Sequence, residues 1–153
     1  MVVDSTDGVL DGFVRVAHRI VWCTLATVDG RGRPRSRVVH PVWERTSDGL
    51  TGWVYTRPAS PKIAHLRRTP YVSCSYWDPQ QEVAVAECAA DVTDDPAVRE
   101  HVWALATGLP EPLGFDPRIM GVTDVTDPGV VILRLTPWRL ATGGAVWRRS
   151  TAA

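Results

Sequence analysis

Residues 21–43 read VWCTLATVDGRGRPRSRVVHPVW, two apolar, β-branched runs joined by a turn crowded with arginine. VWCTLATV (21–28) predicts a strand. Asp29-Gly30 is a strong hairpin signal, and residues 34–43 resume as a second strand, with Pro41 suited to an edge or a bulge. Side chains alternate along a strand, so Arg35, Arg37 and Val39 share one face and Ser36, Val38 and His40 the other. With Arg33 continuing the row, cations stand about 6.5–7 Å apart along one edge and repel one another unless solvent or an anion screens them. A solvated hairpin tip, a minor-groove DNA hook and a phosphate pocket all answer to this description.

Composition narrows the choice. In 153 residues, 17 basic side chains balance 17 acidic ones. Chains that live on nucleic acid or an anionic membrane carry a basic surplus, so neither partner is expected. DNA hooks also work from flexible tails, whereas this arginine row runs straight into a strand. The length suits one domain, taken as residues 1–153, and a 44% hydrophobic content supplies its core. Cys23, Cys74 and Cys88 show no C-x-x-C spacing and read as buried thiols in a reducing compartment. No leader-like N-terminus or long apolar span stands out, and a cytoplasmic location is expected.

Outward from the hairpin, residues 8–19 predict an amphipathic helix and LTGWVYT (50–56) a third strand. Ser60-Pro61 cap a helix that Pro70 stops. Residues 71–77 and 82–92 are strands, and a helix runs from Asp94 or Asp95 to about Ala106. Residues 108–128 form a long irregular connection, expected as a lid or rim carrying Phe115, Arg118 and Met120. Residues 129–142 are the last clear strand, ahead of a tail. Six or so mostly antiparallel strands with accessory helices imply a mainly β, closed or partly closed barrel.

Fifteen further basic positions besides Arg37 and the lone lysine are arginines, so Lys62 is conspicuous. It occupies the second position of a helix, where a cation opposes the dipole at a cost of about 0.3–1 kcal/mol. An anion held there by backbone N–H groups, Ser60, Lys62 and the Thr56 hydroxyl would reverse that penalty, and the arginine strand supplies a second cation. None of the four histidines has metal-ligand spacing. No catalytic triad, paired carboxylates or P-loop is present, and the catalytic residues stay unassigned; His40, beside the arginine strand, is the histidine most worth testing.

The ordered set Arg37-Val38-Val39, Tyr55-Thr56 and Ser60-Pro61-Lys62 followed by Leu66-Arg67, over residues 10–142, resembles the pyridoxamine 5′-phosphate oxidase-like family. That resemblance implies an FMN-binding split β-barrel and a homodimer with the flavin between subunits. It implies that Arg37 and Lys62 grip the flavin phosphate, that Thr56 and Ser60 add contacts beside Tyr55, and that Val38 and Val39 present backbone to the isoalloxazine ring. Trp77, Trp138 or Trp147 would wall the ring from the partner. The implied activity is a flavin-dependent oxidoreductase acting on a small organic substrate. A coenzyme F420 (deazaflavin)-dependent reductase of the same fold and a non-catalytic flavin carrier or sensor are the alternatives. The chain has Pro61 where FMN members often have arginine, and it lacks their C-terminal arginine-leucine-histidine signature, which argues against vitamin B6 oxidation.

Overall fold

The computed structural model describes residues 5–151. Helix α1 (Thr6–Ile20) starts where the Ser5 hydroxyl accepts the Gly8 N–H, and it buries Val9, Leu10, Phe13, Val16 and Ala17 along one stripe. Eight strands follow: β1 (Cys23–Val28), β2 (Pro34–Val39), β3 (Val42–Thr46), β4 (Gly49–Thr56), β5 (Tyr71–Trp77), β6 (Val83–Thr93), β7 (Val131–Thr142) and β8 (Ala145–Arg148). Helix α2 (Pro61–Arg68) connects β4 to β5, and α3 (Pro96–Gly108) follows β6. All ladders are antiparallel, in the order β2-β1-β5-β6-β7-β4-β3 with β8 beside β7.

Two sequence expectations are corrected. The strand expected over 34–43 is two strands, which stand at opposite edges of the sheet. Pro41 lies in the gap; it has no N–H to extend a ladder, and the chain leaves one edge there to join the other. The expected tail contains β8, joined to β7 by Gly143-Gly144 with φ of 55° and 80°, the left-handed pair that a tight hairpin demands. The count is therefore eight strands rather than six.

The sheet curls on itself. Trp43 of edge strand β3 donates its indole N–H to the Tyr76 hydroxyl of β5 (2.9 Å), four places away in the strand order. Phe13 of α1 packs edge-on against both rings, at 5.0 and 6.1 Å between centroids. Phe13 is fully buried, so truncating it to alanine would cost about 3–5 kcal/mol. Gly52 of β4 pairs with Trp43 of β3, and an added Cβ would fall 2.7 Å from the indole; only glycine admits that ring. This closed core leaves the rim between β2, the end of β4 and α2 free to carry function.

Candidate functional site

The arginine turn resolves into two parts. Asp29 accepts the backbone N–H groups of Arg31 and Arg33 (2.9 and 3.0 Å) and the Arg33 Nε (2.8 Å). These bonds, the Arg33 backbone N–H foremost, hold its carboxyl at about 2. Arg33 therefore leaves the expected row of cations and fastens the hairpin tip. Arg37 turns toward α2 instead: its Nη1 donates to the Thr27 hydroxyl at 2.7 Å and more weakly to the Leu25 and Arg35 carbonyls. Burial, then the neighbouring Arg35 charge, pulls its pKa down.

Lys62 reaches the same place from α2. Ser60 holds the extended N-cap conformation expected of it, yet its hydroxyl does not cap the helix; it accepts from Lys62 Nζ at 2.9 Å. Lys62 is only 9% exposed, and its pKa is lowered by burial and then by the Arg37 charge. Among the described residues, neither Lys62 nor Arg37 has a carboxylate partner. Two cations repel each other with nothing to neutralise them. The backbone contributes less than the sequence implied, because the Ser60 and Ile63 N–H groups are taken by the Arg57 and Ser60 carbonyls (both 3.0 Å).

Two further polar atoms lack partners. The Thr56 hydroxyl, on a side chain only 2% exposed, and the Tyr55 hydroxyl are both buried without a hydrogen bond. Natural interiors rarely tolerate such orphans, and both side chains line the same groove. Burial raises the Tyr55 phenol to about 12.

The groove has two adjoining compartments. One, of about 460 Å³, is lined by Thr56, Arg57, Ser60 and Lys62; the other, of about 500 Å³, by Trp22, His40, Phe115 and Ile119. Val38, Val39, Tyr55 and Met120 belong to both. Each lies in the range of small-molecule sites, and together they join a cationic end to an apolar, aromatic end. His40 lies between Trp22 (5.7 Å) and Phe115 (4.9 Å), its ring tilted against both, and Tyr55 meets Phe115 edge-on at 5.9 Å.

The connection after α3 forms this rim. His40 Nε2 donates to the Leu113 carbonyl (2.7 Å), and Arg57 Nη2 to the Met120 carbonyl (2.8 Å), fastening the segment over the groove at both ends. Arg99 secures the rest from α3, donating to the Val125 and Val130 carbonyls (both 2.8 Å) and to Asp127. Phe115 and Met120 line the groove, whereas Arg118 lies over Trp103 instead. Within one protomer the tryptophan in the groove wall is Trp22. Trp147 is core, and Trp77 and Trp138 are exposed away from the groove. A slightly larger cleft, about 600 Å³, lies beside α1 and β8, but its Arg45 and Arg149 are bonded to Asp7, Asp11 and Asp48, so it presents no unbalanced charge.

Residues 13–137, which contain every one of these groups except the α1 start and the tail, match the family model described as pyridoxamine 5′-phosphate oxidase. The chain belongs to the pyridoxamine 5′-phosphate oxidase family. Its fold, the family's split β-barrel, recurs in general stress protein 26 from Bacillus anthracis (TM-score 0.69, 16% identity, covering 91% of this chain and 97% of that one). It recurs in a pyridoxamine 5′-phosphate oxidase-related, FMN-binding protein from Nostoc punctiforme (0.63, 18% identity, 92% and 84% covered). An F420 reductase is similar as well (0.60, 19% identity, 85% and 96% covered). No curated protein matches the chain. Among the described residues no cluster suits a metal ion, and no helix is long and apolar enough to cross a membrane.

Proposed function

We propose that this family member is an FMN-dependent oxidoreductase acting on a small organic substrate. The observation that carries the reading is the cationic end of the groove: Lys62 and the buried, unpartnered Thr56 hydroxyl line it, and Arg37 adds a second charge next to Lys62, neither cation having a carboxylate partner among the described residues. A phosphate dianion supplies what all three lack. Arg37 still has its Nε and Nη2 donors free of partners among the described residues, so it can meet the dianion as a planar fork. Lys62 neutralises the second charge, and Thr56 donates its hydroxyl. The β2 backbone at Val38 and Val39 and the Tyr55 ring border an apolar slot of about 500 Å³, which would take the tricyclic ring. Once bound, a flavin supplies hydride and electron transfer, and the protein's share is grip, orientation and exclusion of water. His40, held by Leu113, faces that slot from beside β2 and is positioned to touch a substrate.

Coenzyme F420 is the second reading, because Pro61 contributes no side-chain donor to the phosphate and an F420 reductase shares the fold. Self-association belongs to the same reading. The outward face of β2-β1-β5-β6 carries Val38 (68% exposed), Tyr71, Trp77 and Val83, which the strand register places on one side of the sheet, and a second copy of this chain would cover it. Titration with FMN and with F420 in parallel, followed at 350–480 nm, decides the cofactor. FMN binding at micromolar concentration or tighter is expected, and binding of neither cofactor contradicts the reading. Sustained turnover with NAD(P)H would exclude a mere carrier, and light scattering would test the dimer.

A further inference from the structure

Arg37 poses a problem that the cofactor reading does not solve. It projects from an edge strand, half-exposed, beside the ammonium of Lys62. In the absence of a ligand both repulsion and rotamer entropy, up to about 2 kcal/mol for an arginine, drive the guanidinium into water. A carboxylate neighbour would hold it, but would also cancel the charge and repel an incoming phosphate. The structure holds it with neutral acceptors instead.

The chief acceptor is Thr27, which is 1% exposed. Its hydroxyl oxygen receives Arg37 Nη1 at 2.7 Å and stands 2.8 Å from His65 Nδ1. A hydroxyl has one hydrogen. Its oxygen accepts from Arg37 Nη1, and the 2.8 Å approach of His65 Nδ1 offers that hydrogen an acceptor in the tautomer that carries the ring hydrogen on Nε2. His65 thus fixes the Thr27 rotor, and the fixed rotor aims a lone pair at Arg37. His65 and Lys62 lie three residues apart and share one face of α2, both of them buried. A single helix therefore sets both cations, Lys62 directly and Arg37 through His65 and Thr27.

We propose that Thr27 and His65 are positioning residues, a hydrogen-bonded relay that holds the Arg37 guanidinium against α2, preformed for a phosphate group. The inference rests on the cofactor reading above for its ligand, but the ordering of Arg37 is a property of the free protein and is measured separately.

The test compares T27V and H65L, which break the relay, with T27S and H65N, which keep a hydroxyl and an acceptor in place. FMN affinity falls roughly five- to tenfold in T27V and H65L, toward the upper end of the net worth of one ordinary intramolecular hydrogen bond because the guanidinium is displaced rather than removed, and stays within about twofold of the parent in T27S and H65N. Riboflavin, which lacks the phosphate, binds all five proteins equally. If F420 is the cofactor, it and its phosphate-free chromophore form the same pair. Equal losses for FMN and riboflavin, or no rescue by T27S and H65N, overturn the relay. In ligand-free protein, nitrogen-15 relaxation at the Arg37 Nε reports an ordered side chain in the parent, T27S and H65N and a mobile one in T27V and H65L. Uniform mobility overturns the proposal even where cofactor binds, and order lost only in T27V and H65L sustains it even where neither cofactor does.

Discussion

Replacing Lys62 with methionine should pull stability and cofactor binding in opposite directions. In the free protein Lys62 sits at the positive end of α2, 9% exposed, against Arg37, and its one hydrogen bond goes to Ser60. Methionine removes an unfavourable dipole interaction of about 0.3–1 kcal/mol together with that repulsion. Losing the bond to Ser60 costs about 0.5–1.5 kcal/mol, but it releases a serine already in N-cap conformation (φ −63°, ψ 139°), and a restored cap returns roughly 1 kcal/mol. The net gain approaches 1 kcal/mol, a rise in Tm of about 2–4 °C for a chain of this size. Toward FMN the ammonium is worth about 1.5–3 kcal/mol, so Kd should rise roughly 10- to 150-fold with riboflavin affinity unchanged. Calorimetry and fluorescence titration of the same preparation give both numbers. A variant with lower Tm and an FMN Kd within about twofold of the parent would refute the argument.

The unpartnered hydroxyls predict the same opposition: Y55F and T56V should each leave the ligand-free protein as stable or about 1 kcal/mol more stable in urea, while T56V alone weakens FMN relative to riboflavin. Arg99→Met strips the donors from the carbonyls of Val125, Asp127 and Val130 and should cost about 2–4 kcal/mol, with new protease cleavage near those residues. His18 accepts the Trp43 N–H at 3.0 Å, so it must be neutral, and burial followed by the His40 charge lowers its pKa below 6.5. The unfolded chain then binds the proton more readily; stability is complete above pH 6.5 and declines as pH falls through that value toward the folded pKa. Urea midpoints between pH 7.5 and 5, roughly spanning that window, should slope less in H18Q, which keeps an acceptor.

Local signals carried most of the fold. Alternation and turn chemistry located β1, β5 and β6 and the cap of α3, because each depends on neighbours in sequence. The division at Pro41 was visible only as a strand irregularity; that β2 and β3 go to opposite edges is a non-local fact, set by Trp43 reaching Tyr76. The Gly143-Gly144 hairpin did carry a signal, a glycine pair between apolar runs, and β8 was legible in it. In the groove, Lys62 stood out because a cation at a helix start has no local reason to be there. Thr27, His65 and Trp22 gave no such sign: a threonine in a strand, a histidine in a helix and a tryptophan at a strand start are ordinary locally, and only the packing of α2 on β1 brings the first two behind Arg37 and the fold of the rim brings Trp22 to the groove. Arg33 misled for a similar reason, since its alternation with Arg35 and Arg37 was correct but Asp29 claimed it.

The most direct test of the central claim, that Arg37, Lys62 and Thr56 converge on one phosphate, is a crystal structure of the protein loaded with FMN, or with F420 if that is the cofactor that binds. The account predicts phosphate oxygens within about 3.2 Å of Lys62 Nζ, the Arg37 guanidinium and Thr56 Oγ1, with the ring lying toward Tyr55 and His40. A phosphate seated elsewhere, with Thr56 still unpartnered, would contradict it.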